Sequence, residues 1–156
     1  MTSRIRVVVA TDGSTAAHRA IRWCVDFAEN ADLEVVVVHV MSNVAEWFMS
    51  VAQVDFQQIE RQRRELLEGL WTAPLRDAGL PFRALLLVGD PVDAVLSAAD
   101  EQDAHLLLIG RTGHGGVGEH LLGGTAMKLA HRTKRPLLLI PDTAVAAGPS
   151  TPPTSR

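Results

Sequence analysis

Cysteine is nearly absent from this sequence, because Cys24 is the only one in 156 residues. A single cysteine excludes an intrachain disulfide framework and a cysteine-based zinc cluster, and it fits a reducing compartment. Cys24 lies within a helical pattern of apolar residues, so we predict that it packs in the core. A chain of this length buries roughly two-thirds of its unfolded surface without any covalent support.

Long hydrophobic runs and an excess of one charge are also missing. The longest apolar stretches have the length of a β-strand, and no positively charged start precedes a longer one. Neither a signal peptide nor a membrane-spanning helix is expected, and the predicted location is the cytoplasm. The 15 Lys and Arg residues and 18 Asp and Glu residues give a formal net charge of −3. This balance offers no electrostatic footprint for nucleic acid or an anionic membrane, so neither is predicted as a partner.

Strand and helix patterns alternate along the chain. Runs rich in β-branched and other apolar residues predict strands that are buried on both faces of a parallel sheet, at residues 5–10, 33–40, 82–88, 105–109 and 136–140. Helical patterns lie between them, at residues 14–30, in the later part of 44–78, from Pro91 onward, and up to Arg132.

This succession of strands and helices predicts the fold class and the extent of the domain. We expect a single α/β domain over residues 1–142, with a doubly wound, mainly five-stranded parallel sheet and helices on both faces. The tail from Thr143 to Arg156 is rich in Pro, Ala, Ser and Thr. It has too little apolar material to fold, so we predict that it is disordered.

The densest feature of the chain is a glycine-rich segment at residues 110–125, GRTGHGGVGEHLLGGT, with seven glycines in sixteen residues. Glycine costs backbone entropy on folding, so a cluster between a strand and a helix indicates positive φ angles or close approach to a ligand. Such a loop can direct several backbone N–H groups, and the positive end of the next helix, at one anion. We interpret the segment as a phosphate-binding loop; the alternative is a flexible surface connection.

Two common phosphate-binding motifs do not fit this loop. A P-loop ends in Gly-Lys followed by Ser or Thr, and the chain contains no Gly-Lys pair. A literal GxGxxG occurs at Gly113, Gly115 and Gly118, with Asp142 at a suitable distance downstream. The dinucleotide fingerprint, however, follows the first strand of its fold, whereas only one predicted strand follows this loop. A P-loop nucleotidase and a Rossmann dehydrogenase are therefore both disfavoured.

The glycine spacing resembles the nucleotide motif of the universal stress protein family, G-2x-G-9x-G-(S/T). Here Gly110, Gly113 and Gly123 occupy the three glycine positions directly after an apolar strand. The resemblance covers roughly residues 4–141 and includes, in the family's order, the segments VVVATDGS, VHV, GDP and RPLLLI. It departs at Gly124, where ATP-binding members carry Ser or Thr, and Thr125 comes one residue later. The resemblance implies an adenine nucleotide alpha-hydrolase-like, Rossmann-like fold.

The same resemblance implies a site for ATP, with or without Mg²⁺, and no metal site made by the protein alone. Open parallel sheets bind ligands at the carboxyl ends of their strands, where this chain places its candidate residues. The main chain of Ala10 and Val40 would border the adenine, and Ile109 and Gly110 would approach the ribose and phosphates. The residues that would hold the phosphate groups are Gly113, Gly123, Gly124 and Thr125.

Polar candidates accompany the first strand end and the loop. Asp12, in the turn that begins at Thr11, has a carboxylate suited to ribose hydroxyls or an exocyclic amine, whereas it would repel phosphate. The alternative is an Asx turn or helix cap, which Asp-Gly-Ser satisfies equally well. His114 is a candidate phosphate contact within the loop; the alternative is a solvated loop histidine.

Two functional hypotheses from different classes follow. The first is an ATP-binding regulatory protein of the stress response, with slow or no hydrolysis and an unidentified protein partner. The second is a nucleotide-independent interaction protein of the same fold, motivated by Gly124. No combination of nucleophile, base and orienting group predicts catalysis beyond a weak ATPase. The resemblance also implies a homodimer formed through the last predicted strand, residues 136–140.

Overall fold

The computed structural model describes residues 4–43, 50–52, 55–113 and 122–141. The predicted tail from Thr143 to Arg156 and candidate residue His114 lie outside these residues. Within the described ranges, no helix combines the length and the apolar character needed to cross a membrane.

The predicted parallel sheet is present, and its strand order brings two distant segments together. In the described part of the chain the strands are β1 (Ile5–Ala10), β2 (Leu33–Ser42), β3 (Phe82–Gly89), β4 (Leu106–Gly110) and β5 (Leu137–Ile140). All pairings are parallel, in the order β3-β2-β1-β4-β5. The chain builds outward from β1 to β3 and then returns to the other side of β1. The carboxyl ends of β1 and β4 therefore lie side by side, with Ala10 paired to Ile109.

Helices cover both faces of the sheet, as predicted. In chain order they are α1 (Thr15–Ala28), α2 (Phe56–Leu66), α3 (Ala73–Asp77), α4 (Pro91–Glu101) and α5 (Gly124–Arg132), with a π-helical turn (Leu67–Trp71) between α2 and α3. Alternate residues of β1 face opposite sides. Val7 and Val9 join the core beneath α1, the π-helical turn and α3. Val8 and Ala10 join the core beneath α4 and α5.

Some element boundaries differ from the sequence prediction. β2 continues two residues beyond the predicted end, because Met41 and Ser42 still pair with Val88 and Gly89 of β3. α1 ends at Ala28 instead of Asn30. The helix predicted late in residues 44–78 is present, but it widens into the π-helical turn, which apolar periodicity did not indicate.

Cys24 is fully buried on the α1 side of the sheet, which confirms its predicted place in the core. Burial raises the pKa of its thiol to about 12. The thiol is therefore uncharged at neutral pH and behaves as a small apolar group.

Gly110 allows α1 to pack directly on the end of β4. A Cβ at this position would lie 2.8 Å from the carbonyl carbon of Ala16 and 2.9 Å from its Cβ. Both atoms belong to the well-packed start of α1, where the backbone has little freedom to move. The glycine that begins the loop motif is thus required by a neighbouring helix, whatever the loop binds.

Replacing Gly110 with alanine should destabilise the fold. The added methyl group overlaps α1, and overpacking of this kind typically costs about 1–3 kcal/mol. Gly69→Ala is the matched control, because a Cβ there meets no atom within 4 Å and lies in a helical segment. Urea unfolding should show a loss for Gly110→Ala and no loss for Gly69→Ala. Equal stability of the two variants would contradict the packing role of Gly110.

Candidate functional site

A cavity of about 380 Å³ opens where the strand order reverses. Its volume lies within the range of small-molecule binding sites. Ten of the eleven candidate residues line it, and the eleventh, His114, lies outside the described residues. The ten are Ala10, Thr11, Asp12, Val40, Ile109, Gly110, Gly113, Gly123, Gly124 and Thr125.

The elements around the cavity contribute two kinds of surface. β2 and α4 supply apolar side chains, among them Val38, Val40 and Val95. The turn after β1 and the two ends of the glycine-rich loop supply carboxylate, hydroxyl and backbone groups. Such a division suits a ligand that has a flat apolar part joined to a polar or charged part.

The ends of the glycine-rich loop are joined beside the cavity. The N–H of Gly123 donates a hydrogen bond of 2.8 Å to the carbonyl of Arg111. This bond brings together the strand end and the start of α5, which lie more than ten residues apart in the chain. The two halves of the glycine motif therefore occupy one place in the fold.

The amino-terminal end of α5, which is the positive end of the helix dipole, faces the cavity. No acidic side chain in the first turn of α5 offsets this positive charge. Gly123 is the N-cap, it makes no side-chain cap, and the first turn carries no acidic residue. The first N–H groups of a helix have no partner within the helix, and Gly124 and Thr125 line the cavity. The helix dipole therefore favours an anion here.

Asp12 both shapes the turn after β1 and extends toward the loop. Its Oδ1 accepts a 2.9 Å hydrogen bond from the Ser14 N–H, which forms the Asx turn considered in the sequence analysis. Its Oδ2 faces the loop, because a Cβ built on Gly113 would lie 2.6 Å from that oxygen. The turn role and a ligand role use different oxygens, so the two alternatives are compatible.

Three further polar residues that were not predicted from the sequence also line the cavity, namely His39, Arg111 and Thr112. Arg111 and Thr112 were within reach of sequence reasoning, since they directly follow β4 inside the glycine motif. His39 gave a weaker signal. It interrupts a β-branched strand close to the strand end, a position that suits a structural histidine equally well.

His39 fixes the end of β1 from the neighbouring strand. The His39 side chain is buried, and its Nδ1 lies 2.8 Å from the carbonyl oxygen of Thr11. A carbonyl only accepts, so Nδ1 carries the proton and donates. Burial lowers the pKa of His39 from its ordinary value of 6.5, opposed by the bond to Thr11 and by the charge of Asp12.

The lowered pKa of His39 predicts that stability falls in mild acid. The unfolded chain takes up a proton on this residue near pH 6.5, whereas the folded chain resists it until lower pH. Stability is therefore fully present above about pH 6.5 and is lost as the pH falls toward the folded pKa. Urea midpoints from pH 7.5 to 5 should decline less in His39→Asn, which keeps a donor for Thr11 but does not titrate. Equal declines in the two proteins would contradict this assignment.

Asp90 and Asp93, two carboxylates at the start of α4, each have a partner within the protein. Asp90 caps α4 by accepting 3.0 Å hydrogen bonds from the N–H groups of Val92 and Asp93, and these bonds lower the pKa of its carboxyl. Asp93 forms an ion pair of 2.6 Å with Arg132. Among the described residues, no group of three or more His, Cys, Asp or Glu side chains is arranged to hold a metal ion.

Comparison with known proteins identifies the family. The sequence profile of the universal stress protein family matches residues 4–141. The chain belongs to this family. A universal stress protein of Thermus aquaticus is 30% identical over 135 residues, which make up 86% of this chain and 96% of that protein.

Solved structures confirm the predicted fold class. A hypothetical protein designated MJ0577 superposes with a TM-score of 0.75 at 20% identity, over 87% of this chain and 94% of that one. A universal stress protein in complex with cAMP superposes with a TM-score of 0.62 at 25% identity, over 91% of this chain and 100% of that one. These relatives share the Rossmann-like, nucleotide-hydrolase-like α/β fold.

Proposed function

We propose that this universal stress protein binds an adenine nucleotide, and ATP above all, in the cavity at the reversal of strand order. The observation that carries the proposal is the convergence of Asp12, an apolar surface and the start of α5 on one cavity. The relative at 25% identity that was solved with cAMP supports the adenine nucleotide as ligand. Nucleotide occupancy would be sensed by a partner protein during the stress response.

The base and ribose fit the part of the cavity nearest β2 and α4. Val40, Pro91 and Val95 offer apolar contact to a flat ring. Asp12 lies at the end of the central strand, where its carboxylate can accept hydrogen bonds from ribose hydroxyls or the exocyclic amine. The absence of a side chain at Gly113 keeps open the space between Asp12 and the loop.

The phosphates fit the part of the cavity nearest α5. Backbone N–H groups at the start of this helix and its dipole favour negative charge. Arg111 adds a cationic side chain to the same lining. These groups provide anion binding without a lysine of the P-loop type.

We infer that the protein acts by binding the nucleotide and not by hydrolysing it. Among the described residues that line the cavity, Asp12 is the one carboxylate, and its Oδ1 already accepts from Ser14. His39 directs its Nδ1 at the Thr11 carbonyl. A general base must reach the attacking water. The hydrogen bonds of Asp12 and His39 to the backbone engage the atoms named above in holding the turn, so we propose that hydrolysis is slow or absent.

Calorimetric titration of ATP and AMP into the wild type, Asp12→Asn and Asp12→Ala tests the site. Asparagine keeps an acceptor oxygen for the Ser14 N–H but loses the charge, so it separates ligand contact from turn formation. In both variants the affinities for ATP and for AMP should fall by a similar factor, roughly 10- to 150-fold. This factor corresponds to ~1.5–3 kcal/mol for a hydrogen bond to a charged group.

Two outcomes of this titration would change the proposal. An effect confined to ATP would place Asp12 at the phosphates or at a metal ion. If ATP, AMP and cAMP, with or without Mg²⁺, neither release heat nor raise the Tm of the wild type, the proposal is wrong. The nucleotide-independent interaction protein would then take its place, a candidate favoured by the missing hydroxyl at Gly124.

Gly124→Ser is the second variant in the same titration. A Cβ at Gly124 meets no atom within 4 Å, so serine enters without displacing a neighbour. Its hydroxyl should strengthen ATP binding about fivefold, equivalent to ~1 kcal/mol, with no change in Tm. An unchanged affinity would show that this position does not face the phosphates.

We also propose that the protein forms a homodimer through β5. β5 is an edge strand composed only of Leu and Ile. The opposite edge strand, β3, carries Arg83, which forms an ion pair with Glu34. Charged residues protect a sheet edge from pairing, whereas an apolar edge invites it.

The hydrogen-bond pattern selects the residue that tests the dimer. The carbonyls of Pro136 and Ile140 accept from Leu107 and Arg111, so they point at β4. Backbone groups alternate along a strand, so Leu139 directs its N–H at the open edge, whereas Leu138 directs its own at β4.

Leu139→Pro should therefore convert the dimer to a folded monomer. It removes an outward donor and leaves the pairing with β4 intact. Light scattering at tens of micromolar protein measures the mass, and circular dichroism checks the fold. A monomeric wild type, or a dimer that survives Leu139→Pro, would place the interface elsewhere.

A further inference from the structure

The turn after β1 rests on a tryptophan that comes from a different part of the chain. Gly13 has a φ of +79°, and a Cβ built on it would lie 2.3 Å from Cζ2 and 2.6 Å from Cε2 of Trp71. The indole therefore occupies the space that any side chain at Gly13 would need. Gly13 is required both for its left-handed backbone and for this close approach.

Trp71 is presented by the π-helical turn Leu67–Trp71. A π-helical turn accommodates an extra residue in a helix and is frequent at functional sites. The turn is closed by a 2.8 Å hydrogen bond from the Thr72 hydroxyl to the Leu67 carbonyl, and Leu67 and Thr72 are both fully buried. These contacts fix the position of Trp71 against Gly13, and only 8% of the tryptophan surface is exposed.

His39 completes the contact. Its ring stands edge-on to the indole of Trp71, with centroids 5.0 Å apart and an interplanar angle of 75°. The same ring donates through Nδ1 to the Thr11 carbonyl. Thr11 and Gly13, the two neighbours of Asp12, are thus restrained by a pair of buried rings that touch each other.

We propose that Trp71 and His39 are positioning residues of the nucleotide site, which hold the Thr11–Ser14 turn so that Asp12 meets the ligand. This inference rests on the proposed function. Trp71 does not line the cavity, so it acts through Gly13. The rival explanation is that Trp71 only fills the core beneath the sheet.

The two explanations differ in how stability and affinity change together. Trp71→Leu should lower the affinity for AMP about tenfold or more, because a small displacement of a binding group is costly, and Trp71→Phe should restore part of it. Leu75→Ala is the matched control, since Leu75 is fully buried in the same core and does not line the cavity. It should lose stability yet keep its AMP affinity within about twofold, measured where every variant is folded.

His39 provides an independent pair of variants. His39→Leu removes the donor to Thr11 and should weaken AMP binding, whereas His39→Asn places an amide N–H near the position of Nδ1 and should rescue it. If Trp71→Leu and His39→Leu both bind AMP like the wild type, the positioning role is wrong. It is also wrong if Leu75→Ala weakens AMP binding as much as Trp71→Leu.

A measurement without ligand separates this inference from the proposed function. The Gly13 proton that points at the indole should show a large upfield ring-current shift in the NMR spectrum of the free protein. Trp71→Leu should abolish that shift and also move the amide signals of Asp12 and Ser14. If the wild type binds no adenine nucleotide, the proposed function fails while this spectrum still reports the restraint. If AMP binds and the Asp12 and Ser14 signals do not respond to Trp71→Leu, the positioning role alone fails.

Discussion

The turn after β1 is restrained from several sides, and the candidate site depends on that restraint. The Thr11 N–H donates to the Val38 carbonyl at 2.9 Å, and the Thr11 carbonyl accepts from His39 at 2.8 Å. The indole of Trp71 occupies the side-chain space of Gly13. Since β1 is the central strand of the sheet, a shift of this turn would reach both the apolar surface contributed by β2 and the loop that follows β4.

The glycines around the site have separate physical causes. The start of α1 leaves no space for a side chain at Gly110. At Gly13 the indole of Trp71 fills that space, and the positive φ also favours glycine. Gly113 faces the carboxylate of Asp12, whereas Gly124 faces open space. Packing therefore accounts for Gly110 and Gly13, and among these four glycines only Gly124 leaves room for an added side chain without displacement.

Asp12 illustrates why two sequence interpretations of one residue need not compete. Its Oδ1 forms the Asx turn that local sequence predicts, and its Oδ2 faces the loop after β4. The two oxygens of a carboxylate accept hydrogen bonds independently. A substitution that removes both, such as alanine, mixes two effects, and asparagine is the variant that separates them.

The sequence by itself determined the strands, the two-sided helical layers and the family. Runs of β-branched residues and capping residues such as Asp90 act locally, and the glycine spacing is a linear pattern. Only the tertiary structure decided the strand order, which makes Ala10 and Ile109 neighbours. Only it revealed that Trp71 lies beneath Gly13 and that His39 holds Thr11. These contacts join residues 28 or more positions apart, and their partners are chosen by packing in three dimensions, which no local pattern records.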